Sequence, residues 1–184
     1  MPNWTFNSLH IEGAEADLRA FLDAVKWQDE IFDFNRIIPM PELLKHTGSG
    51  YRSIDGQQVR EWYVIGNETP LLDDKSVRLF TPEEEATLKA IGHRNWYDWS
   101  IANWGTKWNA RGAELDDDCI AEGYIEIRFE TAWDAPQPLF EKMFAMFPKL
   151  SFDCSWQDEA EDQLHSIEHR AIPDGEPNTK GGSL

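Results

Sequence analysis

Tyr124-Ile125-Glu126-Ile127-Arg128-Phe129-Glu130-Thr131 alternates without a break. Ile125, Ile127 and Phe129 fall on one side of an extended chain, and Tyr124, Glu126, Arg128 and Glu130 on the other. That is the period-two pattern of a strand with one buried face. Immediately downstream, Pro136 and Pro138 open a stretch in which Leu139, Phe140, Met143, Phe144 and Phe147 form one helical stripe that Pro148 stops. Leu150, Phe152, Cys154 and Trp156 then alternate as a further strand.

The first half supplies matching pieces. Trp4 to Ile11 alternates, with Leu9 and Ile11 on one face and Trp4, Phe6 and His10 on the other, until Gly13 ends the run. Residues 14–27 carry Leu18, Phe21, Leu22 and Val25 at the spacing of a helix packed on a sheet. A strand between Lys107 and Ile120, paired with 122–132, completes β-α-β-β-α-β. The expected fold is therefore α+β, a ferredoxin-like βαββαβ core with both helices on one sheet face. One domain over 1–172 is expected, with 42–95 inserted between the first helix and the second strand, and 173–184 as a tail with nothing to bury.

The intervening stretches are less regular. Phe32 to Pro41 contains Pro39 and Pro41 and reads as a fixed extended segment. His46-Thr47-Gly48-Ser49-Gly50 has the composition of a loop, and Gln57 to Ile65 suits a strand or a short helix. Thr81-Pro82-Glu83-Glu84 predicts a helix start with a capping box, and Gly92 its end; Asn95 is placed to cap a short helix carrying Trp96 and Trp99.

Composition narrows the function classes. Seventeen Lys and Arg against 34 Asp and Glu give a formal charge of -17. Such a field repels nucleic acid and anionic membranes and attracts basic surfaces. Nine Trp, ten Phe and four Tyr supply the large apolar groups that charged disordered chains lack. Cys119 and Cys154 are too few for a four-cysteine zinc site and suit a reducing interior. The start Met1-Pro2-Asn3-Trp4 has no signal-peptide pattern and no 18-residue apolar run occurs. A cytoplasmic location without a membrane partner is expected.

Met1-Pro2-Asn3-Trp4, Phe32-Asp33-Phe34-Asn35-Arg36-Ile37-Ile38-Pro39-Met40-Pro41, Asn103-Trp104-Gly105-Thr106-Lys107-Trp108-Asn109-Ala110 and Phe129-Glu130-Thr131-Ala132-Trp133 together resemble the YubB-like family of plasmid and phage proteins. The resemblance spans about residues 1–157. It implies a ferredoxin-like domain and a mobile-element origin, and supplies no reaction. The family's usual Cys after Trp4 is Thr5 here, so no role for that cysteine carries over.

Candidate chemistry is sparse. Asn103, Trp104, Lys107 and Trp108 could line a pocket with an aromatic floor and polar recognition groups; the plainer reading fills the core with the indoles and uses Gly105 for a turn. His165 and His169, with Glu161, would present metal ligands if they shared a helical face, but no third ligand at firm spacing accompanies them and a solvated pair is the plainer reading. Gly48-Ser49-Gly50 lacks the ending of a phosphate loop. No cofactor and no catalytic set is assigned.

The carboxylates carry more. They cluster at Asp73 and Asp74, at Glu83, Glu84 and Glu85, at Glu114, Asp116, Asp117 and Asp118, and at Asp158, Glu159, Glu161 and Asp162. None has the calcium-loop pattern. On a rigid fold they would offer negative charge in the manner of phosphates. The leading expectation is a non-enzymatic accessory protein that binds a basic surface of a host protein as a nucleic-acid mimic, inhibiting a defence nuclease or CRISPR effector. The alternative is a small-molecule-binding or hydrolytic domain using the Trp104/Trp108 region.

Overall fold

The computed structural model describes residues 3–54, 57–65 and 77–172, without the side chains of 49–54, 57–65, 77 and 78. In chain order the elements are β1 (Trp4–Glu12), α1 (Glu15–Val25), a 3-10 turn (Phe34–Arg36), α2 (Glu42–Lys45), β2 (Thr47–Ile54), β3 (Gln57–Ile65), β4 (Val77–Arg78) and α3 (Pro82–Ile91). There follow α4 (Trp96–Trp104), β5 (Arg111–Asp116), a second 3-10 turn (Ile120–Glu122), β6 (Tyr124–Ala132), α5 (Gln137–Met146), β7 (Ser151–Asp158) and β8 (His165–His169). The chain divides into two compact units, Met1–Ile38 with Trp104–Leu184, and Pro39–Asn103.

The first unit is an α+β layer built on a five-stranded sheet of order β5-β6-β1-β7-β8, every neighbouring pair antiparallel. Alternation in β1, β6 and β7 delivers Leu9, Ile11, Ile125, Ile127, Phe129, Phe152 and Cys154 to one face, where all are buried. Both long helices pack there: Phe21 of α1 meets Phe152 edge-on with centroids 5.8 Å apart, and Phe140 of α5 lies 6.1 Å from Trp156. Burial pushes the Cys154 thiol up, so it stays protonated and behaves as a small core hydrophobe.

Thr5, Asn7 and Thr131 extend the same buried face with polar groups. The Asn7 amide donates to Thr131 Oγ1 at 2.9 Å and to Thr5 O at 3.0 Å, Thr131 Oγ1 donates to Asp134 O at 2.8 Å, and Thr5 Oγ1 donates to Asp158. One end of the core is thus held by directional bonds in place of apolar contact.

Between α1 and β5 the first unit has no extended rod. The segment 32–41, expected to be extended, contains a 3-10 turn because Asp33 caps it: its carboxylate accepts from Asn35 N at 2.9 Å and from the Asn109 amide at 2.7 Å. Asn109 Oδ1 in turn accepts from Phe34 N at 2.8 Å. Gly105 lies at φ 82°, and a Cβ there would meet Pro138 Cδ at 2.8 Å and Ala135 O at 3.2 Å. Gly105→Ala is expected to cost about 1–3 kcal/mol, read as a melting temperature lower by several degrees; an unchanged melting curve would show that the turn relaxes freely.

In the second unit β2 pairs with β3, and β3 with β4, all antiparallel. The loop expected at 46–50 is replaced from Thr47 onward by strand, because pairing with β3 supplies the order that Gly48 and Gly50 lack locally. Gln57–Ile65 is strand, not helix. Helix α3 starts and stops as its sequence predicts: Thr81 and Glu84 form both halves of a capping box, and Gly92 ends the helix at φ 85°. Asn95 Oδ1 accepts from Asp98 N at 2.9 Å and caps α4. The tail expected at 173–184 lies outside the described residues. No described helix is long and apolar enough to cross a membrane.

Candidate protein-binding face

The sheet face opposite α1 and α5 carries the outward residues of all five strands, and the register sorts them into rows. One row runs Arg111, Glu130, Phe6, Gln157 from β5 to β7. The next runs Glu114, Arg128, Ser8, Ser155, Ser166, and a third runs Asp116, Glu126, His10, Asp153, Glu168 across the whole sheet. With strands about 4.8 Å apart, the third row is a line of roughly 19 Å with carboxylates at four of its five positions.

Within that line Asp116 stands directly opposite Glu126, and Asp153 directly opposite Glu168. Like charges in direct cross-strand register destabilise a sheet. Part of the charge is answered along the strands. Arg128 donates to both oxygens of Glu126, Ser8 Oγ donates to the same carboxylate at 2.7 Å, and Arg170 pairs with Glu168 at 2.6 Å. The hydrogen bonds from Arg128 and Ser8 hold the Glu126 carboxyl below its ordinary range against the opposing effect of burial, so it is charged at neutral pH. Counting Glu12, Glu114 and Glu130 with the row gives seven carboxylates against the guanidiniums of Arg111, Arg128 and Arg170, and the face stays negative.

At the far end of the same face Tyr124 lies against His10 with centroids 5.4 Å apart and planes tilted by 38°. The Tyr124 hydroxyl is pushed up to about 12 by its hydrogen bond with Cys119 and the charge that thiol would carry. The other end is aromatic. Arg111 lies 4.4 Å over the Trp4 ring, Trp4 is 6.1 Å from Trp108, and Lys107 Nζ sits 4.4 Å over Trp108 and 4.8 Å over Trp133. Trp133 adopts φ 78°, a left-handed conformation uncommon for a bulky residue.

The residues singled out from sequence separate. Glu114 and Asp116 stand on the open face, and Asp117 and Asp118 in the exposed turn after β5, where Asp118 N donates to Asp116. Asp158 and Glu159 are tied to β1: Asp158 accepts from Thr5, and Glu159 accepts from Trp4 N through its carboxylate while its own N–H donates to Trp4 O. Glu161 is 3.9 Å from His165, and Asp162 is exposed. In the second unit Glu84 belongs to the capping box, Glu85 pairs with Arg94, and Glu83 is exposed. Asp73 and Asp74 lie outside the described residues.

Of the aromatic set, Trp104 is buried, with Nε1 donating to Ile38 O at 2.9 Å and its ring edge-on to Phe34. Trp108 is 39% exposed over Lys107. The Asn103 amide donates back to Trp99 O at 2.9 Å within α4.

His165 and His169 sit on a strand, which corrects the helical spacing weighed for them. His165 stacks on Trp156 and His169 on Phe144, the latter with centroids 5.0 Å apart and planes 9° from parallel. Among the described residues the buried His169 Nε2 has no hydrogen-bond partner, and burial lowers the imidazole's affinity for a proton. The unfolded chain therefore binds the proton more readily, and stability is expected to fall as pH drops below the ordinary histidine value of about 6.5. Melting curves from pH 7.5 to 5.5 check this: His169→Gln should flatten the acid limb, and an unchanged limb would clear His169 of the effect.

Glu126, Asp153 and Glu168 escape a search for acidic runs because none has a carboxylate as its immediate neighbour in the chain. Their outward alternation was the available signal, and only the register joins them. Over 103–165 the chain matches a family model described as a ferredoxin-like domain in Api92-like protein. Residues 103–165 thus belong to a ferredoxin-like domain. This ferredoxin-like stretch contains β5, β6, α5 and β7 whole, three strands and one helix of the first unit. No curated protein and no solved structure is matched by the chain.

Proposed function

We propose that this chain is a non-enzymatic accessory protein whose open sheet face docks on a basic surface of another protein. The observation that supports it most is the third row, with Asp116 opposite Glu126 and Asp153 opposite Glu168. A sheet built for stability alone has no use for two opposed like-charge pairs, whereas a sheet that meets cations recovers that repulsion on binding. A line of carboxylates on a rigid sheet offers a nucleic-acid-binding protein what phosphates offer it, so the partner in this reading is a nucleic-acid-binding enzyme of the host, a defence nuclease or CRISPR effector, whose groove is occupied by mimicry.

The same reading takes β1, α1, β5, β6, α5 and β7 as a split βαβ core with 42–95 interposed. A phage or plasmid origin and action in the cytoplasm go with it, in line with the resemblance to the YubB-like family. Affinity capture from host lysate at low salt tests it. The expected catch is a nucleic-acid-binding protein that elutes steeply as salt shortens the Debye length from about 30 Å at 0.01 M to about 8 Å at 0.15 M. A partner that stays bound in molar salt would contradict electrostatic docking.

A further inference from the structure

We propose that the groove beside the carboxylate row receives a single arginine side chain of the docking partner. The proposal rests on the docking reading above and names the group recognised. The groove has a volume of about 360 Å³ on the open face, and Phe6, Glu114, Arg128, Glu130, Gln157 and Leu164 are among its walls. Phe6 is 50% and Leu164 66% exposed, two large apolar groups standing in water in the middle of an acidic surface. An occupant must cover hydrocarbon and satisfy carboxylates at once.

The charged walls are not equally engaged. Arg128 is committed to Glu126 by two hydrogen bonds. Among the described residues the Glu114 carboxylate makes no hydrogen bond and no close ion pair, feeling only the charge of Arg128 opposite it, and Glu130 has one long pairing, 3.8 Å to Arg111. Two carboxylates therefore face the groove with coordination to spare. A guanidinium meets all of these demands: it is planar, weakly hydrated, stacks on an aromatic face and donates in parallel to carboxylate oxygens. An ammonium is a strongly hydrated point charge that can sit over a ring, as Lys107 does over Trp108, but neither stacks flat on Phe6 nor donates in parallel to a carboxylate, so it gains less there. Anions are repelled by Glu114 and Glu130.

The protein displays this chemistry at the edge of the same groove. Arg111 lies 4.4 Å over the Trp4 ring while pairing with Glu130. Arg111 belongs to the same row as Phe6, with Glu130 between them, so an incoming guanidinium over Phe6 would repeat on one flank of Glu130 the arrangement Arg111 makes on the other.

The test titrates the full chain with labelled hexa-arginine and hexa-lysine peptides, which carry equal charge. Hexa-arginine is expected to bind roughly tenfold more tightly, and Phe6→Ala to remove most of that preference while leaving hexa-lysine binding unchanged. Phe6→Leu, which keeps the bulk and loses the aromatic face, should behave as Phe6→Ala, so that a folding defect in one variant is caught by the other. Glu114→Gln with Glu130→Gln should weaken hexa-arginine more than hexa-lysine. Equal affinities insensitive to Phe6 would overturn the arginine site and leave electrostatic docking standing. Failure of both peptides to bind at low salt would overturn the arginine site together with the docking reading.

Discussion

Trp104→Ala is expected to destabilise the protein by about 3–5 kcal/mol, the usual cost of emptying a buried indole site. Trp104 is 4% exposed, packs edge-on against Phe34 with centroids 5.7 Å apart, and bonds Ile38 O through Nε1. The substitution leaves a cavity beside the Phe32, Phe34 and Phe129 rings, which contact one another in the same core. It also leaves the Ile38 carbonyl without that donor. Denaturant unfolding checks the value. A loss below about 1 kcal/mol would mean that the site collapses or that the indole contributes little, and Trp104→Phe should recover the packing but not the hydrogen bond.

The second large effect concerns the carboxylate row. Asp116→Asn, Glu126→Gln, Asp153→Asn and Glu168→Gln together remove four charges and both opposed like-charge pairs. Association with a basic partner at low salt should slow by about 10- to 100-fold, since steering by a charged face governs the on-rate. Stability should hold or rise slightly, because relief of the cross-strand repulsion offsets the exposed pairing of Glu126 with Arg128. Stopped-flow association and thermal melting separate the two effects. A variant that associates as fast as the parent would remove the row from the binding surface.

What was legible in the sequence follows from how local each signal is. Tyr124–Ala132 and Ser151–Asp158 announce themselves by alternation because each buries one face against the helices. Helix α3 is readable at both ends because capping involves only residues a few positions apart. Strand β2 was hidden because Gly48 and Gly50 favour a loop in isolation and only its pairing with β3 orders them. Strand β8 was hidden for a similar reason: His165-Ser166-Ile167-Glu168-His169 is polar, and its two imidazoles rest on Trp156 and Phe144, contacts from β7 and α5 that no local pattern reveals.

The candidate site follows the same rule. Acidic runs are conspicuous in sequence, yet Asp158, Glu159 and Glu84 serve the fold through Thr5, Trp4 and Thr81. The row draws one carboxylate from each of four strands, so it exists only once β5, β6, β7 and β8 are in register with β1 between them. Polar outward positions in a strand normally mean solvent, and two directly opposed acidic pairs distinguish this face from an ordinary wet one.

Displacement of nucleic acid tests the docking account most directly. Labelled duplex would be bound to the captured host partner and titrated with the parent chain, with the four-site row variant, and with a variant neutralised at Asp117, Asp118 and Asp162, which are exposed and off the row. The account predicts that the parent releases the duplex, that the off-row variant releases it nearly as well, and that the row variant needs at least tenfold more protein. Duplex that stays bound at saturating parent chain, or equal release by parent and row variant, would contradict it.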